Sequence, residues 1–401
     1  MNPAPRTALI IGGGVTGLST AYHLAKRGYG RVIVVEKEGL GAGSSRRAAG
    51  ITTGLLWSET GVRARKISLQ LFRELSRTLP GYHYHAEEGC LNLFTPEAWP
   101  ARAALLPLYD RCGAAYAVLT AGEVQSRWPD LRVPDGFVGL HDPMGGYSEP
   151  PDYLCALAKA AVAAGVEIRV PAQVTGWIFD GTRLAGATTT TGPIHADVVV
   201  SAAYAWTGPL LQGLGLSFPV KAFVHQRYLS TPLTTPLRLP AVNADPWGGY
   251  VRPAAGGRIL MGVETADRDE HRVTSADFRL EALAAPEGLR ERAQAHLASL
   301  LPALAGVGWE QDEVGLICFS MDGEPVVGPV SAVPGLFVGT AFHSGGFSYN
   351  PAVGWLLAEW VHEGRPSLDL AAFSPDRFPA AASADYLATT VPQRLAVRRR
   401  H

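Results

Sequence analysis

The sequence predicts an α/β fold that begins with a single β-α-β unit. Residues 7–11, TALII, form a short apolar run rich in β-branched residues, which is typical of a buried parallel strand. A glycine-rich turn, residues 12–17, leads into LSTAYHLAKRG, whose apolar residues follow helical spacing up to Gly28. The next run, RVIVVE, predicts a second strand that ends at Glu36.

The turn between these strands follows the GxGxxG pattern of Rossmann-like dinucleotide-binding proteins. Gly12 permits the tight turn, Gly14 lets the backbone approach a pyrophosphate, and Gly17 lets the helix pack close to the strand. Amides and the dipole at the helix N-terminus hold phosphate oxygens. Glu36 stands where an acid can accept both ribose hydroxyls. These features predict that the unit binds a dinucleotide.

A second glycine-rich segment indicates which dinucleotide. Residues 41–54, GAGSSRRAAGITTG, begin five residues after Glu36, where a nicotinamide dehydrogenase would continue with ordinary strands and helices. The small residues allow the backbone to approach a flat ring and its ribityl chain, and Ser44 and Ser45 can bond to phosphate. We call this segment the second glycine loop. It favours FAD, although a surface loop is the alternative interpretation.

Composition excludes several classes of partner. The 401 residues are 47% hydrophobic and 18% charged, with a net charge of −1, which argues against nucleic acid or an anionic membrane as a main partner. No apolar run reaches the roughly 18 residues that a membrane helix needs. The strand-like run from Thr7 leaves no room for a targeting segment, so we expect a cytoplasmic protein.

Cysteine and histidine spacing predicts that no metal is bound. The four cysteines form no CxxC pair, so neither a zinc site nor a redox dithiol is expected. His83 and His85 would share one face of a strand, but the sequence shows no third ligand for them.

Longer segments resemble a known family. GSSRRAAGITT resembles the second glycine-rich motif of the FAD-dependent D-amino-acid oxidase superfamily, and is closest to its dimethylglycine and sarcosine dehydrogenase and sarcosine oxidase-like branch. The segments that match in order along the chain are DVVVSAAYAW, VKAFVHQRYLSTP, YVRPAAGGRILMG, MDGEPVVGP and PGLFVGTAFHSGGFSYNPAVGW. The resemblance covers most of the chain.

The resemblance implies two interleaved domains, with substrate bound between them. A Rossmann-like FAD-binding domain would take residues 1–83, 147–216 and 316–401. A substrate-binding domain built on a mixed β-sheet would take residues 84–146 and 217–315, which gives the chain an α+β part. Turn-rich segments at the splices agree with this division.

The resemblance also implies that FAD is bound without a covalent link. In the dehydrogenase branch a histidine of the second glycine loop carries the flavin, and Arg47 stands at that position here. In the sarcosine oxidase branch a cysteine does so, and Gly315 stands at the matching position, with Cys318 offset from it. The residues expected to hold FAD are Gly12, Gly14, Val15, Thr16, Gly17, Glu36, Lys37, Gly43, Ser44, Ser45, Arg47, Ala48, Ala49, Gly50, Val174, Ala202, Trp206, Asp322, Gly345, Gly346, Phe347 and Ser348.

A smaller set of polar residues is expected on the substrate side. Arg252 could clamp a substrate carboxylate or form an ion pair between domains. His225 could handle protons or be a structural histidine. Tyr250 and His343 are similar candidates. Ser348 stands where the oxidase branch has a lysine that binds the substrate carboxylate. The identity of the substrate therefore stays open.

The resemblance implies an enzyme that oxidises the C–N bond of an amine or amino acid, with secondary, tertiary or N-methyl amines favoured. Flavin N5 accepts a hydride, the imine hydrolyses, and O2 or another electron acceptor reoxidises the flavin. Oxidative tailoring of a natural product is an alternative, and so is a flavin-holding subunit that passes electrons within a complex. The chain is expected to lack the folate-binding domain of the larger dehydrogenases.

Overall fold

The computed structural model describes residues 6–264 and 268–393. The described residues form 21 strands. In chain order they are β1 Thr7–Ile11, β2 Arg31–Val35, β3 Ile51–Thr52, β4 Tyr84–His85, β5 Cys90–Phe94, β6 Ala117–Thr120, β7 Val138–Asp142, β8 Gly146–Ser148, β9 Glu167–Arg169, β10 Val174–Asp180, β11 Arg183–Thr189, β12 Gly192–His195, β13 Val198–Ser201, β14 Val220–Ser230, β15 Ala241–Ala244, β16 Gly249–Ala254, β17 Arg258–Val263, β18 Trp309–Ser320, β19 Val326–Pro329, β20 Leu336–Thr340 and β21 Phe342–His343.

The helices pack mainly on one face of each large sheet. They are α1 Val15–Lys26, α2 Glu59–Thr78, α3 Trp99–Ala103, α4 Leu106–Cys112, α5 Ala121–Arg127, α6 Pro150–Ala163, α7 Thr207–Gln212, α8 Leu289–Ala298, α9 Gly346–Glu363 and α10 Ala380–Ala388. Across residues 6–264 and 268–393, none of them is both long enough and apolar enough to cross a bilayer.

The first large sheet has six strands in the order β19-β20-β13-β1-β2-β9. All its pairings are parallel except that between β19 and β20. Alternate residues of β1 face opposite layers. Ile10 packs toward α1 and α9, and Leu9 packs toward the three-stranded sheet β10-β11-β12. Because the six-stranded sheet is buried on both faces, the strand sequences TALII and RVIVV are mostly apolar without alternation.

The second large sheet is mixed, in the order β21-β18-β14-β17-β16-β15-β5-β7-β6. Its longest pairing is antiparallel and runs from Val220 opposite Ser320 to Ser230 opposite Trp309. One face packs on α5 and α8. Because side chains alternate along a strand, the other face presents His225 to the six-stranded sheet.

The two sheets draw their strands from the segments expected for the two domains, with two differences. β18 runs unbroken from Trp309 to Ser320 and so crosses the expected splice at residue 316. β21, at residues 342–343, also joins the nine-stranded sheet. The division into two domains stays a prediction, and its splice would fall within a strand.

Candidate active site

A cavity lies between the six-stranded sheet and the nine-stranded sheet. The carboxyl ends of β1, β2, β13 and β20 reach it from one side, which is where open parallel sheets bind ligands. Strands β14, β15, β16, β18 and β21 wall the other side. Of the residues predicted from sequence, those on the cavity wall are Gly12, Gly14, Val15, Thr16, Glu36, Lys37, Gly43, Ser44, Ser45, Arg47, Ala48, Ala49, Gly50, Val174, Ala202, Trp206, His225, Tyr250, His343, Gly345, Gly346 and Phe347.

Close backbone contacts explain the glycines of the first turn. Gly12 has φ +111°, and a Cβ there would lie 2.7 Å from the carbonyl oxygen of Ala202. A Cβ at Gly17 would overlap the carbonyl oxygen of Gly12. The helix α1 can therefore start directly at the end of β1. Its first turn contains no acidic residue and faces the cavity, so its amides form a site for an anion.

The acid at the end of the second strand is held beside this turn. Glu36 Oε2 accepts a hydrogen bond from the Gly13 amide at 2.8 Å, and Oε1 accepts one from the Glu38 amide at 3.0 Å. Each carboxylate oxygen keeps acceptor capacity toward the cavity. Lys37 lies with its Nζ 4.6 Å from the ring centroid of Trp206, and both residues line the same end of the cavity.

Arginines of the nine-stranded sheet hold the second glycine loop by its carbonyl groups. Arg227 on β14 donates from Nε to the Arg47 carbonyl and from Nη2 to the Arg46 carbonyl, both at 2.9 Å. Arg252 on β16 donates from Nε to the Ala49 carbonyl at 2.6 Å. The position of the loop on the cavity wall is thus fixed by the sheet opposite it.

The side chains of the loop point to several partners. Ser45 Oγ accepts from the Val15 amide at 3.1 Å, which ties the loop to the start of α1. Ser44 Oγ donates to the Leu316 carbonyl at 2.9 Å. Arg47 donates to the carbonyls of Ala42 and Gly43 and pairs with Glu281 at 2.8 Å. Its guanidinium therefore lies along the loop and toward the edge of the cavity.

Cys318 is buried in β18 and does not line the cavity. Its amide donates to Tyr204 Oη at 2.9 Å, and desolvation raises the pKa of its thiol. A protonated thiol is a poor nucleophile. Gly315, three residues earlier, does line the cavity and lies against the side chain of Arg47.

His225 and Tyr250 form a hydrogen-bonded pair on the cavity wall. Arg268 Nη2 lies 3.2 Å from His225 Nδ1, and His225 Nε2 lies 2.9 Å from Tyr250 Oη. Because a guanidinium only donates, Nδ1 must accept, and the imidazole proton is assigned to Nε2. Nε2–H then donates to Tyr250 Oη, which leaves the phenolic hydrogen available to the cavity.

Both members of this pair are neutral. Desolvation, together with the positive charge of Arg268, lowers the pKa of His225 to about 3. Desolvation also raises the pKa of Tyr250, with the negative charge of Glu264 acting in the same direction. The pair therefore offers the cavity a fixed hydrogen-bond donor and no charge near neutral pH.

Unusual backbone conformations cluster at the same cavity. Tyr204 and His343 line it, and both have positive φ, at +46° and +47°, as does Ala341 at +56°. Tyr204 Oη donates to the His343 carbonyl at 3.3 Å and so links two of these positions. Left-handed non-glycine residues persist where the surrounding structure imposes them, and they concentrate at functional sites.

Four predicted residues do not line the cavity, and two of them are charged. Arg252 is fully buried, and its guanidinium binds Glu149 through two contacts of 2.9 and 3.0 Å. The structure thus shows the ion-pair alternative and corrects the expected carboxylate clamp. Asp322 pairs with Arg377 at 2.8 Å and accepts from the Glu324 amide, so it stabilises a turn outside the cavity.

The other two are in helices. Ser348 is 1% exposed within the first turns of α9, and its Oγ has no hydrogen-bond partner in the part of the chain that the structure describes. It packs inside the protein and is not one of the residues that line the cavity, so its expected contact with substrate or cofactor stays a prediction. Gly17 acts indirectly, because its lack of a side chain allows α1 to approach Gly12.

The prediction of no metal rested on a missing third ligand, and the structure supplies a candidate. Ligand atoms of His83, His85 and Glu87 all lie within 4.8 Å of one another. His83 Nε2 already contacts Glu87 Oε1 at 2.9 Å, and both side chains are more than half exposed. A surface hydrogen bond accounts for this geometry without an ion, so the absence of a metal stays a prediction.

Sequence reasoning missed several polar residues of the wall: Thr53, Arg65, Tyr204, Asn243, Asp245 and Glu264. A signal existed for one of them. Val62, Arg65, Leu69 and Phe72 follow helical spacing on the buried stripe of α2, so a cation occupies an apolar position. Such a residue requires a partner or a ligand.

Comparison with known proteins identifies the family. The model of the family described as FAD dependent oxidoreductase matches residues 7–360. The chain belongs to this family. The residues fit the cofactor in the family's name, because the anion site at α1, the acid Glu36 and the close-packed second glycine loop all border one cavity. The match confirms the predicted family and FAD as its cofactor.

Individual relatives agree with the predicted branch. The chain is 29% identical over 388 residues to 4-methylaminobutanoate oxidase (formaldehyde-forming) of Paenarthrobacter nicotinovorans, covering 94% of this chain and 46% of that protein. It is 27% identical over 392 residues to human mitochondrial sarcosine dehydrogenase, covering 94% and 42%. The chain thus spans about half the length of these curated relatives.

Solved structures confirm the fold. L-proline dehydrogenase from P. horikoshii superposes with a TM-score of 0.85 over 94% of this chain and 98% of that chain, at 23% identity. The predicted combination of a Rossmann-like sheet with a mixed sheet is therefore correct.

Proposed function

We propose that this chain oxidises the C–N bond of a secondary or tertiary amine, with N-methyl amines favoured, using noncovalent FAD. The observation that carries the proposal is the neutral His225–Tyr250 pair, which faces the same cavity as both glycine-rich segments. The names of two relatives support it, because 4-methylaminobutanoate and sarcosine are both N-methyl amines.

The oxidation does not require a protein side chain that removes a proton from the substrate. When bound, FAD supplies N5 as the acceptor of a hydride from the carbon next to the amine nitrogen. The substrate becomes an iminium, which water hydrolyses to a carbonyl compound and the shorter amine. O2 or another electron acceptor then takes the two electrons.

The chain's own residues would position the amine. Tyr250 would donate its phenolic hydrogen to the substrate, while His225, held by Arg268, keeps that hydroxyl oriented. With its pKa lowered to about 3, His225 is too weak a base to take a proton from an ammonium ion, and Tyr250, whose pKa is raised, keeps its own proton. The amine must therefore react in its neutral form, which transfer from water into the cavity favours. Orientation of this kind contributes several kcal/mol to such reactions, roughly 7 or more in the best cases.

The cofactor would be held by the glycine-rich segments. We assign its phosphates to the amides of α1, its ribose to Glu36 and its ring side to the second glycine loop and residues 345–347, all of which border the cavity. The two-domain division predicted from sequence belongs to this proposal, and so does a cytoplasmic location, which suits four cysteines that are all free.

Acid precipitation tests the noncovalent link. We expect the yellow colour of the purified protein to move completely into the supernatant, because Arg47 stands in the loop and the thiol of Cys318 is buried outside the cavity. The measurement is the flavin absorbance of supernatant and pellet. Flavin that stays in the pellet, and that disappears from it in a C318A variant, would contradict the proposal.

Anaerobic reduction tests the reaction itself. We expect N-methyl amines to bleach the flavin band, with a rate that rises with pH through the pKa of the amine, since the neutral amine reacts. Two amines whose pKa values differ by about 2 units should give profiles displaced by the same amount. His225, with its pKa lowered to about 3, should contribute no ionisation between pH 5 and 9.

Two results would count against this account. An ionisation common to both amines would reveal a protein base, for which Asp245 on the cavity wall is the first candidate. Failure of every amine to bleach a flavin that dithionite does reduce would remove the proposed reaction and favour an electron-passing role.

A further inference from the structure

A short segment that begins in α10 packs beside the cavity. We call residues 386–393 the tail segment. Tyr386 and Val391 of this segment pack against an apolar cluster that includes Phe223 on β14. Phe223 is two residues from His225, so both side chains lie on the same face of the nine-stranded sheet. The tail segment therefore covers the part of this face that continues from His225.

A buried ion pair anchors the tail segment. The side chains of Lys221 and Glu270 are 1% and 4% exposed, and Lys221 Nζ lies 2.8 Å from Glu270 Oε2. Lys221 Nζ also donates to the Thr389 carbonyl, and Glu270 Oε2 accepts from the Val391 amide at 3.1 Å. Because a buried pair needs such further hydrogen bonds to offset its desolvation, the tail segment completes this one.

Two hydrogen bonds join the tail segment to Arg268. The backbone amide of Gln393 donates to the Arg268 carbonyl at 3.2 Å, and Arg268 Nη1 donates to Gln393 Oε1 at 2.8 Å. Gln393 is 1% exposed, and its Nε2 has no hydrogen-bond partner within residues 6–264 and 268–393. A guanidinium only donates, so the side-chain oxygen of Gln393 is the atom that must face it.

The guanidinium of Arg268 lies between the tail segment and His225. Its Nη2 donates to the Val263 carbonyl at 2.7 Å and lies 3.2 Å from His225 Nδ1. Glu264 accepts from both Nη1 and Nη2 at 3.2 Å. Because the guanidinium is planar and rigid, the contact that holds Nη1 at Gln393 also fixes the direction of Nη2.

We propose that Gln393 is a positioning residue for the His225–Tyr250 pair and acts through Arg268. The inference rests on the proposed function and extends it to the tail segment. With Nη1 held by Gln393, Nη2 points to His225 Nδ1, the imidazole proton stays on Nε2, and the phenolic hydrogen of Tyr250 is left to the cavity. Without that contact Nη2 would turn away, and Nδ1 could carry the proton. Nε2 would then accept the phenolic hydrogen, and Tyr250 would have no donor for the substrate.

The charges around His225 keep it neutral whether or not the tail contact is made. Desolvation is the largest cause that lowers its pKa to about 3; Arg268 and Arg227 act in the same direction, and Glu264 opposes them. Tyr250 faces Nε2 from β16. Loss of the tail contact removes none of these charged groups. The contact therefore decides which ring nitrogen carries the proton near neutral pH.

The tautomer of His225 tests the assignment without turnover. Gln393→Met keeps the length of the side chain and removes the acceptor, while the pair of Lys221 and Glu270 still anchors the tail segment. We expect NMR of the oxidised holoenzyme with isotope-labelled histidine to show His225 protonated on Nε2 in the wild type and largely on Nδ1 in Gln393→Met. The loss of signals in His225→Gln assigns them. Gln393→Glu keeps an acceptor oxygen, so it should show the wild-type tautomer.

The rate of flavin reduction is the second measurement. We expect the limiting rate of anaerobic reduction by an N-methyl amine to fall by about 10-fold in Gln393→Met, with FAD affinity unchanged, because the amine loses the donor that orients it. Gln393→Glu should react close to the wild-type rate. Gln311→Met is the matched control, since it makes the same change at an exposed residue of β18. It should equal the wild type in tautomer and in rate.

Two outcomes would overturn the assignment. A lower unfolding temperature in Gln393→Met, combined with the wild-type tautomer and rate, would leave Gln393 with a structural role only. Equal changes in Gln393→Met and Gln393→Glu would show that the acceptor oxygen is not what positions Arg268. Failure of the proposed reaction looks different: the tautomer of His225 would still change in Gln393→Met, while no amine would bleach the flavin of the wild type.

Discussion

Gly17→Ala is expected to yield folded protein that retains little FAD. A methyl group at this position would overlap the carbonyl oxygen of Gly12, which is backbone and cannot rotate away. Overpacking of this kind costs about 1–3 kcal/mol, and here the helix α1 must move off the turn to relieve it. That movement displaces the amides that face the cavity. We therefore expect FAD affinity to fall by about 10- to 100-fold, as measured by titration of the apoprotein with FAD.

Gly122→Ala is the control for this substitution. Gly122 lies in the first turn of α5, away from the cavity, and a Cβ there would meet nothing within 4 Å. FAD affinity should stay at the wild-type value, and thermal stability should rise slightly because alanine has fewer unfolded conformations than glycine. Equal FAD affinity in Gly17→Ala and Gly122→Ala would show that the turn does not position the cofactor.

The success of sequence reasoning at the glycines has a local physical cause. Gly12 and Gly17 are constrained by backbone atoms of the same β-α-β unit, so the pattern within about 30 residues contains the whole requirement. The predicted strand at residues 7–11 has the observed bounds, and the second ends at Val35, one residue before its predicted end. Strand periodicity and helix spacing were sufficient to define this unit.

Charged residues were harder to interpret because their role depends on the partner that the fold brings. Arg252 and Glu149 are 103 residues apart in the chain, and Asp322 and Arg377 are 55 apart. Nothing local distinguishes Arg252, which is neutralised by a carboxylate, from Arg65, which lines the cavity. Ser348 is a related case: the sequence around it does not show which face of α9 meets the cavity, and the structure leaves Ser348 off the cavity wall.

Glu149→Leu is expected to be strongly destabilising. It would leave the guanidinium of Arg252, whose side chain is 0% exposed, without its carboxylate. Breaking a buried pair in this way costs about 3–5 kcal/mol of the free energy of unfolding. Arg252→Met should cost less, because the side chain of Glu149 is 18% exposed and keeps its hydrogen bond from the Ala255 amide. Denaturant unfolding measures the difference.

The double variant distinguishes the loss of the attraction between Arg252 and Glu149 from the cost of leaving one buried charge without a partner. Glu149→Leu with Arg252→Met contains no buried charge at this place, so it should be more stable than Glu149→Leu alone. Glu167→Leu provides the surface comparison, since Arg31 and Glu167 pair with side chains that are 52% and 39% exposed. Glu167→Leu should lower the free energy of unfolding by less than about 1 kcal/mol. Equal costs for Glu149→Leu and Glu167→Leu would contradict the account.

The stability gap between wild type and Glu149→Leu should also depend on pH. Burial alone would raise the pKa of Glu149, but hydrogen bonds and charge from Arg252 outweigh it and hold that pKa below its ordinary value. A carboxyl whose pKa is lowered by folding contributes stability above its unfolded pKa and loses it as pH falls through the folded one. The gap should therefore be constant near neutral pH and narrow below about pH 4. Since Arg252 also binds the Ala49 carbonyl, loss of the pair should loosen the second glycine loop and weaken FAD binding in parallel.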